Sequence, residues 1–212
     1  MEETIGDIKG KIVLETGCGD GFFIPNLLKK KPRKIIGIDI SKYLLKYAED
    51  KFGKRKNVEF YQMDLTKKLN FKSALFDVIV SYNVLQEIKN ISTPLKEMAR
   101  VLKMGGELII SITHPLYHLF ISGLETRKKS PLENLKRYPL TEPIHSSAIK
   151  GFENSFVVYR KPISLYVNEV IKNGLKIIEM KDIIVSKKVG KLSRKHKKRI
   201  GVPIFLLFKV KK

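Results

Sequence analysis

Residues 13–22, VLETGCGDGF, combine three alternate glycines with two carboxylates directly after a short apolar run. Glycines at this spacing let the backbone turn tightly, so that a ligand can come close to it. Most turns of this kind bind phosphate at a helix N-terminus. Here Glu15 stands just before the turn and Asp20 within it, and both would repel phosphate. The residue types favour a ligand that presents a cation to the turn.

Asp39 is a third carboxylate with a recognisable position, because it closes the apolar segment RKIIGIDI 22 residues after Gly17. A carboxylate at this point typically accepts hydrogen bonds from both ribose hydroxyls of a nucleotide. A nicotinamide dinucleotide would also use it, but its pyrophosphate requires the spacing G-x-G-x-x-G and a neutral loop. The spacing here is G-x-G-x-G. We therefore expect S-adenosylmethionine, which carries ribose and adenine together with an ammonium and a sulfonium.

The elements around these residues alternate between apolar strands and amphipathic helices. Strands are predicted at 11–15, 33–40, 57–65, 76–84, 107–114, 175–185 and 203–210. Helices are predicted at 22–30, from Ser41 to Gly53, from Thr93 to Gly105–Gly106, and at 162–173. Continuous apolar strands alternating with helices indicate an α/β fold, a doubly wound parallel sheet covered on both faces. Ligands bind such sheets beyond the carboxyl ends of the strands, where Glu15, Asp39, Asp64 and residues 81–83 fall.

An ordered series of motifs resembles the class I S-adenosylmethionine-dependent methyltransferases, specifically the small-molecule branch similar to methyltransferase types 11 and 12. The motifs are VLETGCGDG, GIDIS, QMDL, FDVIVSYNVLQEI, LKEMARVLKMGGELIISITHP and YRKPISLYVNEVIKNGLKIIEM, followed by the closing segment GVPIFLLFKVKK. The resemblance covers almost the whole chain and is weakest between residues 116 and 156. It implies one Rossmann-like domain over 1–212, with a seven-stranded sheet in the order 3-2-1-4-5-7-6. The last strand would be antiparallel, and 115–160 would form a variable cap or substrate segment.

The resemblance also implies roles for individual residues. Glu15 would lie near the ammonium of the cofactor, Asp39 would bind the ribose hydroxyls, and Asp64 would accept from the adenine amino group. The other cofactor-binding residues that it implies are Gly17, Gly19, Gly21, Ile40, Met63, Leu65 and Ser81. Two simpler interpretations stay open: Glu15 as a helix-dipole partner only, and Asp64 as a turn residue only.

Catalytic residues are harder to assign, because methyl transfer from a sulfonium depends largely on positioning the nucleophile. A phenol, carboxylate or amine acceptor needs at most a nearby general base. The candidates that we select are His114, His118 and Tyr82, and further possible bases are His145, Tyr117 and Glu87. Relatives often carry histidine where this chain has Gln86 and Glu87. No metal-ligand cluster is evident, so we expect no metal.

Composition limits the function classes. The only cysteine, Cys18, lies in the glycine turn, which argues against cytosine-C5 methylation, and the Asn/Asp-Pro-Pro-aromatic signature of amino-adenine methyltransferases is absent. No apolar run is long enough to span a membrane, and the start is not a secretory signal, so a cytoplasmic protein is expected. The oligomeric state stays open.

Charge is the unusual property of this chain. Forty-two Lys and Arg against 21 Asp and Glu leave a net charge of +21. Residues 187–199, KKVGKLSRKHKKR, hold eight of the cations, and RNA could bind there through its phosphates. The run contains no aromatic residue for base stacking, so a solvated loop is the alternative. Three hypotheses result: a small-molecule methyltransferase, an RNA or protein methyltransferase that uses this basic protein's surface, and a non-catalytic cofactor-binding module.

The predicted first strand begins about ten residues from Met1, so we do not expect the long N-terminal helix that relatives fold over the cofactor. A lid would then come from residues 115–160 or from a partner subunit, or would not exist. We favour the first, and expect residues 115–160 to lie over the carboxyl ends of the strands as a lid. Its candidate contact residues are Tyr117, Phe120, Leu132 and Tyr138, and it contains the cluster Arg127, Lys128 and Lys129.

Overall fold

A seven-stranded sheet forms the centre of the computed structural model, which describes residues 4–117, 136, 138, 141–146, 156–187 and 199–212. Its strands are β1 (Ile12–Thr16), β2 (Lys34–Asp39), β3 (Val58–Gln62), β4 (Phe76–Tyr82), β5 (Leu102–Thr113), β8 (Lys176–Ile184) and β9 (Pro203–Lys211). Two further strands, β6 (Glu142–Ser146) and β7 (Phe156–Arg160), form a separate antiparallel pair. The helices whose bounds lie within the described residues are α1 (Ile24–Leu28), α2 (Lys42–Phe52), α3 (Ser92–Val101) and α4 (Ile163–Lys172), with a 3-10 turn at Leu85–Glu87.

The strand order of the large sheet is β3-β2-β1-β4-β5-β9-β8. Strands β1 to β5 pair in parallel, whereas β9 pairs antiparallel with both β5 and β8. Counting the strands of this sheet along the chain, β8 is sixth and β9 seventh, so the predicted order 3-2-1-4-5-7-6 is confirmed. The antiparallel direction of the last strand is confirmed as well.

Two apolar layers cover this sheet. Leu14, Ile79 and Ile110 point into the larger layer, which includes α3 and α4. Val13, Val80 and Ile109 point into the other layer, which includes α1. Because neighbouring residues of one strand are buried on opposite faces, the strands read as continuous apolar runs in the sequence.

The boundary between α3 and β5 differs from the prediction. The helix ends at Val101, and Leu102 is already extended and pairs with Phe76 of β4. The register then shifts, so that Val78 pairs with Glu107, and Gly105 lies within the strand at φ +74°. The two glycines therefore accommodate an irregularity inside β5 and do not end the helix.

Residues 4–10, before β1, contain no helix and pack against the layer formed with α1. Ile5 and Ile8 are completely buried, and the Lys30 ammonium donates a hydrogen bond to the carbonyl of Gly6 at 2.9 Å. This segment is thus part of the core beneath the sheet.

The predicted lid segment is described only in part. Its residues His118, Phe120, Leu132 and 127–129 lie outside the described residues, as do residues 188–198 of the basic run. The hydroxyl of Tyr138 accepts a hydrogen bond from the Ile163 N–H at 3.2 Å, and β7 contacts the 3-10 turn that follows β4. Within the described ranges, no helix is long and apolar enough to cross a membrane.

Candidate cofactor site

The glycine turn connects β1 to α1 at the carboxyl edge of the sheet. Gly17 has φ +62°, a conformation that side chains disfavour. A β-carbon added there would stand 2.2 Å from a methyl group of Val84, which precedes the 3-10 turn. The turn is therefore in close contact with the segment after β4, and only glycine permits that contact.

Asp39 joins the end of β2 to this turn. One of its carboxylate oxygens accepts a hydrogen bond from the Gly19 N–H at 2.8 Å, and the other accepts from the Ser41 N–H at 2.8 Å. Each oxygen retains a further lone pair. A fixed carboxylate with spare acceptor capacity is suited to a pair of ligand hydroxyls.

Glu15 is the most deeply buried acid of the site, with 2% of its surface exposed. Its Oε2 atom has no hydrogen-bond partner among the described residues. Burial raises the pKa of this carboxyl to about 8, and the nearby charges of Asp39 and Asp20 raise it further. A buried carboxyl oxygen without a hydrogen-bond partner destabilises the folded protein, unless a ligand supplies that partner.

A pocket of about 320 Å³ opens beside Asp39. Six of the predicted cofactor residues line it: Gly17, Asp39, Ile40, Met63, Asp64 and Leu65. Ile40 is 64% exposed there, although it directly follows a buried strand. An apolar side chain on an open pocket wall is suited to the face of a flat ring.

Asp64 lies on the same wall and has partners of its own. Its carboxylate accepts hydrogen bonds from the Thr66 hydroxyl at 2.7 Å and from the Thr66 N–H at 2.8 Å. These bonds, together with nearby Lys67, hold the pKa of Asp64 below its usual range. The residue therefore shapes a turn and also faces the pocket, so its role toward adenine stays a prediction.

Four predicted cofactor residues are not part of the pocket lining. Glu15, Gly19 and Gly21 belong to the adjoining end of β1 and its turn. Ser81 is fully buried in β4, where it is paired between Thr16 and Ile110. The pocket thus corresponds to the part of the site expected for adenosine, and the turn to the part expected for methionine.

The candidate catalytic residues occupy different surroundings. His114 is buried, with Nε2 at 3.2 Å from a carboxylate oxygen of Asp182, and its Nδ1 accepts from the Leu116 N–H at 3.2 Å. Burial lowers the pKa of His114, and Asp182 opposes this change. This pattern fits a neutral ring that carries its proton on Nε2.

Tyr82 stacks on Phe23 with ring centres 5.1 Å apart, and burial raises the pKa of its hydroxyl. Neither Tyr82 nor His114 lines the pocket, and His118 lies outside the described residues. Their catalytic roles stay predictions.

Glu87, which the sequence offered only as a possible base, does line the pocket. The surrounding protein reduces the hydration of its carboxyl and so raises its pKa, and the charge of Asp39 adds to this effect. Tyr159 of β7 also lines the pocket, and sequence reasoning missed it. The available signals were its place at the start of the motif YRKPISLY and in the segment 115–160, which we expected to lie over this edge, but no motif singled out this residue.

These residues fit S-adenosylmethionine. Its ammonium would provide the partner that Glu15 Oε2 lacks, its ribose matches the spare acceptors of Asp39, and its adenine matches the wall of Ile40 and Met63.

Comparisons with known proteins agree with this description. Residues 14–110 match the family model described as a methyltransferase domain. The chain is 32% identical to demethylmenaquinone methyltransferase of Lactococcus lactis over 154 residues, which are 70% of this chain and 58% of that protein. It is 31% identical to a tRNA U34 carboxymethyltransferase of Sulfurovum sp. over 49% of this chain and 35% of that protein. The chain thus spans about a third to three fifths of the length of these curated relatives.

A solved structure of a putative S-adenosylmethionine-dependent methyltransferase from Listeria monocytogenes has a similar fold. Its TM-score is 0.76 at 20% identity, with 100% of this chain and 95% of that chain covered. The matched domain model, the shared fold and the glycine turn with Asp39 agree with one another. Together they support a class I S-adenosylmethionine-dependent methyltransferase domain in this chain.

Proposed function

We propose that this protein transfers a methyl group from S-adenosylmethionine to a small-molecule acceptor. The observation that carries the proposal is the pairing of two carboxylates at adjacent strand ends. Glu15 has a buried oxygen without a partner, and Asp39 is fixed by two backbone N–H groups. This arrangement suits a ligand that has a cation at one end and a ribose beside it.

The chain's own residues would bind and orient both reactants. Glu15 would hold the ammonium, Asp39 the ribose, and the wall around Ile40 and Asp64 the adenine. When bound, the cofactor supplies an electrophilic methyl group on its sulfonium. Since the displacement is in line, the protein contributes mainly by fixing the acceptor on the far side of that methyl group.

Glu87 is the residue that we favour as proton acceptor for the incoming nucleophile. It lies on the pocket lining, and its raised pKa brings it closer to neutrality, where general bases are most effective. His114 would first have to give up a hydrogen bond at one of its nitrogens, because both are engaged. Tyr82 and His118 remain further candidates.

A small acceptor is supported by one of the comparisons. The relative that matches 70% of this chain is named for demethylmenaquinone, which is itself a small molecule.

The direct test is incubation of the protein with methyl-labelled cofactor and a fractionated cell extract. Label in the small-molecule fraction is expected, and the Asp39→Ala variant should give little. Label in RNA or protein would reject the small-molecule acceptor. Tight cofactor binding without labelling of any fraction would point to a non-catalytic module.

RNA is the second candidate acceptor, favoured by the net charge of +21 and by the match to a tRNA-modifying enzyme. At one end of the basic run, Arg199 donates a hydrogen bond to the Tyr117 hydroxyl at 2.7 Å, so this cation is partly engaged. If RNA binds through its phosphates, its affinity should fall steeply as the salt concentration rises. A labelled RNA that binds at low salt and also accepts methyl groups would establish this alternative.

A further inference from the structure

Lys161 is a buried lysine between β7 and α4, with only 2% of its surface exposed. Its ammonium donates hydrogen bonds to the carbonyl of Leu85 at 3.1 Å and to the carbonyl of Tyr159 at 3.3 Å. It also lies over the rings of Tyr159 and Tyr166, at 5.4 and 5.9 Å from their centres. Among the residues that the structure describes, no carboxylate forms an ion pair with it.

Burial without a carboxylate partner is unfavourable for an ammonium group. It lowers the pKa of Lys161 to about 7. Carbonyl oxygens and aromatic faces offset only part of this cost. A well-packed apolar side chain at this position would therefore stabilise the fold at least as much as Lys161 does.

The two carbonyls that Lys161 joins belong to two segments that each contribute a residue to the lining of the cofactor pocket. Leu85 begins the 3-10 turn that ends with Glu87, and Glu87 lines the pocket. Tyr159 lines the same pocket from β7. Lys161 itself is not part of the lining, so any effect on the site would pass through these neighbouring residues.

We propose that Lys161 is a positioning residue of the methyl-transfer site, which holds β7 against the 3-10 turn and so sets Tyr159 and Glu87 at the edge of the pocket. The inference rests on the cofactor site proposed above. In this proposal the Lys161 side chain connects the β6–β7 pair to the cofactor site. No motif in the sequence indicated this connection.

The test uses the full chain and exploits the absence of tryptophan from the sequence. Replacing Tyr159 by tryptophan gives one indole at the pocket edge, whose emission reports its surroundings. Lys161→Met is then compared with Lys176→Met, a matched loss of one exposed lysine on β8. Affinity for S-adenosylhomocysteine is measured by calorimetry with and without the reporter, and folding is followed by thermal unfolding.

We expect Lys161→Met to bind S-adenosylhomocysteine about tenfold more weakly than Lys176→Met, because it misplaces groups at the pocket without removing a direct contact. Its melting temperature at pH 7.5 should be equal or higher, and the indole emission should shift toward that of an exposed ring. If Lys176→Met binds S-adenosylhomocysteine with the affinity of the unmodified chain, the loss of an exposed lysine does not disturb the cofactor site.

Three results would overturn the inference. Affinity and emission equal to those of Lys176→Met would show that Lys161 positions nothing. A Lys161→Met chain that does not fold would show that the lysine serves the fold and not the site. Failure of the unmodified chain to bind S-adenosylhomocysteine would reject the proposed cofactor site, and this inference with it.

Discussion

The carboxylate of Asp39 accepts a hydrogen bond from the N–H of Gly19 at 2.8 Å, so the end of β2 is tied to the glycine turn after β1. Two features that the sequence separates by 20 residues are thus one unit in the fold. Its second oxygen, bound to the Ser41 N–H, fixes the carboxylate plane. A ligand that contacts the turn and Asp39 together meets groups that are already in position.

Asp39→Ala should weaken the binding of S-adenosylhomocysteine by at least tenfold. The variant loses the acceptor for the ribose hydroxyls, and hydrogen bonds to a charged group contribute roughly 1.5 to 3 kcal/mol each, net of exchange with water. Isothermal titration calorimetry measures the change. Asp20→Ala is the matched control, because Asp20 lies in the same turn but pairs with Lys51 at the surface. Equal losses in both variants would contradict the ribose assignment.

Binding of the cofactor product should release a proton from Glu15 near pH 7. In the free protein the pKa of about 8 keeps this carboxyl mostly protonated, and an ammonium placed beside it would lower that pKa. Titrations in phosphate and in Tris should therefore give different apparent enthalpies, since the two buffers take up protons with different heats. In the Glu15→Gln variant this difference should vanish. A buffer-independent enthalpy for the unmodified protein would show that Glu15 does not meet the ammonium.

Gly17→Ala should destabilise the protein more than Gly10→Ala. Both glycines have positive φ, +62° and +72°, so each substitution adds backbone strain of about 1 to 2 kcal/mol. The β-carbon added at position 17 collides with Val84, whereas the β-carbon added at position 10 has nothing within 4 Å. Overpacking adds about 1 to 3 kcal/mol to the first variant. Urea unfolding compares the two, and equal midpoints would mean that the turn and Val84 are not in contact.

Lys161→Met should be more stable than the unmodified protein at pH 7, and this advantage should shrink as the pH rises toward 10. Burial lowers the lysine pKa from 10.5 to about 7, so the unfolded chain binds the extra proton between these values. Stability of the unmodified protein therefore rises with pH across that window, by roughly 3 kcal/mol between pH 7 and 10. Denaturant unfolding at several pH values measures the gap between the two proteins. A gap that stays constant would show that Lys161 keeps its ordinary pKa.

Most of the large sheet could be predicted because its signals are local. The apolar runs that become β1, β2 and β4 are followed directly by Glu15 with its glycine turn, by Asp39 and by Tyr82. Parallel strands bring these ends to one edge. The same reasoning placed Asp39 beside the turn without knowledge of the hydrogen bond to Gly19.

The errors and omissions arose where distant residues decide the local structure. The pairing of Leu102 with Phe76 extends β5 past Gly105, which a helix-ending rule could not anticipate. Tyr159 and Lys161 reach the site because β7 contacts the 3-10 turn, and that contact joins segments about 75 residues apart. Composition and periodicity carry no information on such a contact.

The position of β9 between β5 and β8 has a consequence for how the protein is made. Seven residue pairs join β9 to β5, and eight join it to β8. During synthesis, β5 therefore keeps an open edge, and β8 has no neighbour among the described strands, until residues 203–211 have left the ribosome. Long-range strand pairing of this kind is slow, and unpaired edges invite association with other chains. The nascent chain thus has a window between the synthesis of β5 and that of β9, in which a chaperone that covers the β5 edge would raise the yield of folded protein.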